Sequence, residues 1–221
     1  MPRLTGRLLV ISALFITCLI AANTIGVKWT HIGSFALPAA VIVFPLSYIF
    51  GDILVEVYGY RWARRVIWLG FLSNLLFVIF AWLGSLLPPA SFWTELQQSY
   101  QAILGYTPRL LLGSFIGYLL GSFANALVMS RLKVLTRGRF LWVRTISSTI
   151  VGEGLDTAAF QVLAFVGTFY FTPVFILYHW AAKVAIEVLA TPFTYAVVGY
   201  LKRKEGFDVF DRDESLNPFK I

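Results

Sequence analysis

The chain has 221 residues, of which 58% are hydrophobic and 13% charged, with a mean hydropathy of +0.77; soluble domains carry about 25% charged residues, so one soluble core could not hide this much apolar surface. A formal net charge of +7 would suit a nucleic-acid partner, but the basic residues stand between hydrophobic runs, which points to membrane orientation and excludes nucleic acid from the reading. The single cysteine, Cys18, leaves no internal disulfide, and two histidines with no His-x-x-x-His pair leave no catalytic zinc site, so neither a metal nor a cofactor is expected.

Six apolar stretches are long enough to cross about 30 Å of hydrocarbon, which takes about 20 helical residues: 8–27, 35–58, 64–87, 108–131, 142–168 and 173–200. Lipid offers no partners for an open backbone, so each reads as a helix. The first follows Arg3 and Arg7, but it is longer than the ~7–15-residue apolar core of a signal peptide and reads as a retained span. Pro38 and Pro45 fall where they would interrupt the second helix, and Pro192 where it would interrupt the sixth. The connection 88–107 holds Pro88, Pro89 and the polar run Glu95 to Tyr100, which suits a short interfacial helix or lid. The fold class is therefore all-α, a six-helix transmembrane bundle over residues 1–205. Residues 206–221, with Asp208, Asp211, Asp213 and Glu214, read as a short, solvated cytoplasmic tail.

The connections agree with an even count. Arg3, Arg7, Arg61, Arg64, Arg65, Arg131, Lys133, Arg137, Arg139, Arg144, Lys202, Arg203 and Lys204 would share one side, against Lys28 and Arg109 on the other. The positive-inside rule then places both termini in the cytoplasm. Three spans followed by three would have inverted topology, a layout used by many transporters.

The informative residues are charges at membrane depth, each costing about 2.5–3.5 kcal/mol on insertion scales. Asp52 and Glu56 stand four apart on the second helix, Glu153 and Asp156 three apart on the fifth, and Lys183 and Glu187 four apart on the sixth. Each pair therefore shares a helix face, and three polar stripes can converge on one cavity. Glu56 also lies near Arg61, Arg64 and Arg65, where an interfacial ion pair competes with a role in the site. Gly113, Gly117 and Gly121 form a small-residue packing stripe that Asn125 continues. Asn125 is thus placed between interhelical glue and ligand contact, and Asn23 and Asn74 lean toward glue. Trp29 and Trp180 are the aromatic residues available as stacking surfaces. His179, near the outer end of the last helix, reads as an interfacial residue, with proton handling as the alternative.

These residues carry a resemblance. Phe44-Pro45 through Gly51-Asp52, Glu56-Val57-Tyr58-Gly59 and Ala63-Arg64-Arg65 resemble the queuosine precursor transporter family, also described as a vitamin uptake transporter family. So do Gly152-Glu153-Gly154-Leu155-Asp156-Thr157 with Phe160, and Lys183, Glu187 and Thr191-Pro192 on the last helix. The resemblance spans roughly residues 10–204. It implies a multi-pass protein of the bacterial inner membrane that takes up 7-cyano-7-deazaguanine or 7-aminomethyl-7-deazaguanine, precursors of queuosine in transfer RNA. Asp52, Asp156 and Lys183 carry over most directly.

The chemistry of the residues fits such a base, because a carboxylate can accept two adjacent donors at once. Glu153 or Asp156 would read the base edge, and Asp52 with Lys183 would form a switchable pair. The substrate-binding set is thus Asp52, Asn125, Glu153, Asp156, Lys183 and Glu187, with Glu56, Asn23, Asn74, Trp29 and Trp180 as further candidates. The partners are the small-molecule base and membrane lipid; a homodimer or an ATPase partner stays open. Two alternatives remain: a transporter or energised-complex binding subunit for another vitamin or nucleobase, and an intramembrane aspartyl enzyme. The chain has no Gly-x-x-x-x-Gly-Lys-Ser/Thr loop of its own, and the transporter reading makes it no enzyme.

Overall fold

The computed structural model describes residues 4–32, 35–105, 107–168, 171 and 173–220; Arg3, used above for orientation, lies outside them. In chain order the elements are α1 (Gly6–Ile25), a hairpin of β1 (Trp29–Ile32) and β2 (Phe35–Pro38), and a 3-10 turn (Ala39–Ile42). Next come α2 (Phe44–Ile53), which runs into a π-helical turn (Leu54–Tyr58), α3 (Tyr60–Leu86), and a second 3-10 turn (Ser91–Leu96). The last four are α4 (Gln97–Leu104), α5 (Pro108–Leu135), α6 (Leu141–Phe165) and α7 (Pro173–Glu205). Local sequence sets several of these boundaries. The Thr5 hydroxyl accepts from the Leu8 amide at 3.2 Å and caps α1. Thr107 caps α5 in the same way, with Pro108 in the first turn, where its missing N–H is harmless.

Five described segments are long and apolar enough to cross a membrane: α1, Ala39–Tyr58, α3, the stretch containing α5, and α7. Arg144, Glu153 and Asp156 dilute the hydropathy of α6, but its 25 residues make about 37 Å of helix. Its passage follows from its neighbours. At its start, Arg144 binds the Glu56 carboxylate that Lys133 near the end of α5 and Lys202 near the end of α7 also bind. At its other end, Arg109 from the start of α5 donates to the carbonyls of Leu163 (2.8 Å) and Val166. Six passages return the chain to the face where it began: the Thr5 hydroxyl donates to Glu205 Oε1 at 3.0 Å. That face carries the basic connections, so the positive-inside rule makes it the cytoplasmic one.

Apolar packing is densest toward this basic end, where Leu8, Phe15, Ile53, Val57, Tyr58 and Met129 are buried together. Helices α5 and α6 meet most closely. A Cβ on Gly121 would stand 2.7 Å from the Asp156 Cβ and 2.8 Å from the Gly152 carbonyl oxygen. A Cβ on Gly152 would stand 2.7 Å from the Asn125 Cβ. The small-residue stripe is thus a helix–helix seam, and it lets two polar residues, Asn125 and Asp156, face each other's helix at close range.

Three expectations change. The sequence suggests helix from residue 35, but the chain pairs Trp29 with Pro38 and Thr30 with Leu37 in an antiparallel hairpin, and α2 starts only at Phe44. Pro38 ends β2 and Pro45 sits in the first turn of α2, so neither interrupts a helix; Pro192 does lie inside α7. The tail is not a free solvated end. Its Asp211 accepts from the Tyr60 amide (2.9 Å) and the Ser130 hydroxyl (2.8 Å). Arg64 donates to the carbonyls of Ser215 (2.8 Å) and Asn217 (2.9 Å), and the Trp68 indole to that of Pro218 (2.8 Å). Gly59, at φ +85°, turns the chain into α3; a Cβ there would meet Val209 at 2.7 Å, so the tail docks where only glycine fits.

The seam is testable in the detergent-purified protein. Gly121→Ala overpacks it and should cost about 1–3 kcal/mol, seen as a lowered melting temperature. Gly199→Ala, in α7 with nothing within 4 Å of the new Cβ, should leave the melting temperature unchanged or raise it, since alanine is worth up to ~1 kcal/mol over glycine in a helix. Equal shifts would contradict the close approach.

Candidate functional site

Helices α6 and α7 bring three charges together at mid-membrane. Lys183 Nζ lies 2.6 Å from Glu153 Oε2 and 2.9 Å from Asp156 Oδ2, and it also donates to the Thr157 hydroxyl at 3.3 Å. The i,i+3 spacing of the acids puts both on the α6 face that meets α7. Lys183 also stands 4.6 Å from the centre of the Phe44 ring, within cation–π range. The two carboxylates differ in access. Glu153 is 1% exposed and Asp156 14% exposed. The other oxygen of Asp156, Oδ1, lies 2.8 Å from where a Cβ on Gly117 would stand, so that glycine makes room for the carboxylate.

Asp156 and Lys183 line a cavity of about 860 Å³, within the roughly 300–1,000 Å³ of small-molecule sites. All six membrane-crossing segments contribute wall: Asn23 from α1, Tyr48 from α2, Ile67 from α3, Asn125 from α5, Phe160 and Gln161 from α6, and His179 from α7. The hairpin adds Trp29 and Pro38. Among the described wall residues, Val27 and Trp29 at the hairpin end are exposed, while Leu54, Ala63, Ile67 and Ala126 toward the basic end are buried. Access is therefore from the hairpin side.

Below the cavity a second charged layer closes the basic end. Glu56, on the π-helical turn, is 0% exposed. Arg144 grips its carboxylate from two sides, at 3.2 and 2.8 Å, and Lys202 binds it at 2.6 Å. Lys133 donates to the Glu56 carbonyl and to Asp208 of the tail, and Lys202 also binds Asp208 at 3.0 Å. π-Helical turns recur at functional positions in helices; here one carries the residue that ties α2, α5, α6 and α7 together.

The residues singled out from sequence therefore divide. Asp156, Lys183, Asn125, Asn23 and Trp29 line the cavity. Glu153 stands behind Lys183. Asp52, 0% exposed, sits behind Asn125 and accepts from its amide at 2.7 Å. Glu187 is buried beside this group without lining the cavity. The expected Asp52–Lys183 pair is not formed: Lys183 turns to α6, and Asp52 is met by α5. Glu56 makes an ion pair as one reading foresaw, but its partners are Arg144, Lys202 and Lys133. Arg64 is taken by the tail, and Arg65 lies over the Trp62 ring at 5.2 Å. Asn74 is buried on α3, and the Trp180 indole donates to the Ile150 carbonyl at 3.0 Å; neither is a wall residue.

Two residues escape the sequence reading. His179 is not interfacial but 5% exposed in the cavity wall, with its ring 5.6 Å from that of Phe175 and no hydrogen-bond partner for either nitrogen among the described residues. Its signal was its place four residues before Lys183, on the same face of the helix. Arg144 counts as a connection charge by position, yet it is 1% exposed; nothing local in the sequence distinguishes it from Arg139 or Arg137.

Comparison with known proteins adds three findings. Residues 38–197 match the family model described as "Putative vitamin uptake transporter". The "Probable queuosine precursor transporter" of Bacillus subtilis (strain 168) is 30% identical over 185 residues, covering 80% of this chain and 78% of that protein. The "Queuosine precursor transporter" of Escherichia coli (strain K12) is 28% identical over 125 residues, covering 55% of this chain and 52% of that protein. No solved structure matches.

The basal charge layer makes two predictions. Arg144→Met leaves a buried carboxylate short of its two-point partner and should destabilise the purified protein by about 3–5 kcal/mol, read from its thermal unfolding; an unchanged melting temperature would contradict the pairing. For Asp208, burial disfavours the charged form, but hydrogen bonds from Lys133 and Lys202 and their charges outweigh it and hold the carboxyl below its ordinary 3.8. A lowered value means that this carboxylate supports tail docking fully above the ordinary value, and that the support is lost as pH falls through the lower, folded-state value. Protease cleavage within 206–220 should therefore be slow at neutral pH and faster in Asp208→Asn at the same pH.

Proposed function

The chain belongs to the vitamin uptake transporter family, and from that premise we propose that it carries 7-deazaguanine bases, the precursors of queuosine, inward across the bacterial inner membrane. It is a multi-pass membrane transporter and not an enzyme. The substrates in this reading are 7-cyano-7-deazaguanine and its 7-aminomethyl relative, which share one pairing edge. The observation that carries it is the position of Asp156: a carboxylate at mid-membrane, part-exposed in the cavity wall, and held from one side by Lys183.

The base edge offers a ring N–H and an exocyclic amine side by side, and one carboxylate accepts both in a charge-assisted pair. In this arrangement Asp156 takes the two donors. Lys183 or the Asn125 amide donates to the ring carbonyl, and Glu153 holds Lys183 in place from behind. Tyr48, Phe44 and Phe160 supply flat apolar surface on which a base can stack. A ligand lacking the donor edge leaves buried acceptors unpaired and loses affinity for that reason.

Direction follows from access. The cavity is reached from the hairpin side, and the Glu56 layer with the docked tail closes the basic side. The described state is thus suited to taking substrate from outside, and release inward requires the basal layer to open, as in alternating access.

The reading is tested by uptake of labelled 7-cyano-7-deazaguanine in a host unable to make it. The wild-type chain should restore uptake. Asp156→Ala should lower uptake at limiting substrate by at least about 10-fold, because it removes two charge-assisted hydrogen bonds to the base edge, each worth about 1.5–3 kcal/mol. Uptake that survives Asp156→Ala at the wild-type rate would remove this site. Wild-type uptake blocked equally by adenine and by guanine would favour a general nucleobase carrier.

A further inference from the structure

Behind the cavity wall lies a second group of polar residues that the base-reading site does not use. Asp52 of α2 is 0% exposed and Glu187 of α7 is 1% exposed. Asp52 Oδ1 accepts from Asn125 at 2.7 Å and the Ser148 hydroxyl of α6 stands near the same carboxylate, while its Oδ2, both oxygens of Glu187 and the Asn125 side-chain oxygen have no hydrogen-bond partner among the described residues. The two carboxylates are close enough to act on each other electrostatically, and Glu187 also feels Glu153.

Every titratable or charged group facing them is accounted for. On α2, Tyr48 lies one turn outward and Glu56 one turn inward, the latter held by Arg144 and Lys202. On α7, Lys183 is the nearest cation, and it is committed to Glu153 and Asp156 of α6. On α5 the facing group is the neutral Asn125. Among the described residues, no lysine, arginine or histidine nitrogen lies within 4.0 Å of Asp52 or Glu187.

Two buried carboxylates and an amide oxygen, all acceptors and all without a counter-charge, match a small hard cation with an appetite for oxygen. Lipid cannot supply one, and no lysine, arginine or histidine among the described residues pairs with either carboxylate. We propose that Asp52, Asn125 and Glu187 form a binding site for one monovalent cation, a proton or Na⁺, which couples base uptake to an ion gradient. The inference rests on the transporter reading above but names a site that shares only Asn125 with the base-reading wall. Asn125 is the connection: its side chain lines the substrate cavity on one side and bonds Asp52 on the other. Occupancy of one site therefore alters the geometry offered to the other, and the coupling is reciprocal.

The test uses the full chain in proteoliposomes with labelled 7-cyano-7-deazaguanine. An inward proton gradient and an inward Na⁺ gradient are imposed in separate arms, and a third arm measures exchange against unlabelled base with no gradient. One of the two gradients should drive wild-type accumulation beyond equilibration, by up to about tenfold for a tenfold gradient of a single coupled ion; which arm responds names the ion. Glu187→Gln removes a cation ligand without touching the cavity wall, so it should keep exchange while accumulation falls to the equilibrium level. Glu187→Met, which removes the carboxylate at similar volume and away from the cavity wall, should behave alike and serves if Glu187→Gln fails to fold.

Wild-type exchange with no accumulation in either arm overturns the proposal. So does accumulation at the wild-type level in both variants, or loss of exchange in both. If the wild type itself shows no exchange, the substrate reading has failed instead. The cation site is then decided by thermal unfolding: wild-type melting temperature should rise with Na⁺ at constant ionic strength, or with falling pH near neutrality, and Glu187→Gln should not respond. Identical responses in wild type and variant overturn it on that readout.

Discussion

Charge buried in hydrocarbon must be matched inside the protein, and this constraint organises the whole chain. A charged side chain at membrane depth costs up to about 2.5–3.5 kcal/mol on insertion scales, and this chain carries six, Asp52, Glu56, Glu153, Asp156, Lys183 and Glu187, within its membrane-crossing segments, in a fold whose net stability is of the order of 5–15 kcal/mol. Four of the six are matched in two layers, while Asp52 and Glu187 lie behind the cavity wall without an ion-pair partner among the described residues. At mid-membrane Lys183 is shared between Glu153 and Asp156; at the basic end Glu56 is shared among Arg144, Lys202 and Lys133. Each layer joins helices that would otherwise meet only through apolar contacts, and the cavity is the space between α1, α2, α3, α5, α6 and α7 that these ties hold open.

The layers have opposite consequences. The upper one leaves Asp156 partly exposed to the cavity, so it can exchange its surroundings for a ligand. The lower one is sealed: Glu56 is fully buried, and Asp208 from the docked tail completes the cluster. Breaking the lower layer is the step that inward release demands. Because its cations sit on α5, α6 and α7 and its carboxylate on α2, it can open only if those helices move relative to one another. The glycine seam between α5 and α6 makes that pair a single unit, so the freedom is left to α2 and α7.

Much of this was legible in the sequence. Hydropathy and the spacing of Asp52/Glu56, Glu153/Asp156 and Lys183/Glu187 located the helices and the polar stripes, because both depend on local periodicity. The glycines at 113, 117 and 121 announced a seam for the same reason. What escaped depends on which helix faces which. Lys183 could have met Asp52 or α6, and only packing decides for α6. The basic connection charges looked alike, yet Arg144 is drawn inside because Glu56 lies across from it. The hairpin was hidden inside an apolar run, although Trp29-Thr30-His31-Ile32 and Phe35-Ala36-Leu37-Pro38 flanking Gly33-Ser34 carry a hairpin signature. The tail read as solvated because its acids are exposed types; its docking uses two of those acids, Asp208 and Asp211, together with the backbone carbonyls of Ser215, Asn217 and Pro218, and composition records none of these contacts.

The central claim is that the cavity holds a 7-deazaguanine base with its donor edge on Asp156. A structure of the chain with 7-cyano-7-deazaguanine bound tests it most directly. The account predicts the base in the cavity between the hairpin and Lys183, with its ring N–H and exocyclic amine within hydrogen-bond distance of the Asp156 carboxylate. A base bound elsewhere, or in the cavity with that edge turned away from Asp156, would contradict it.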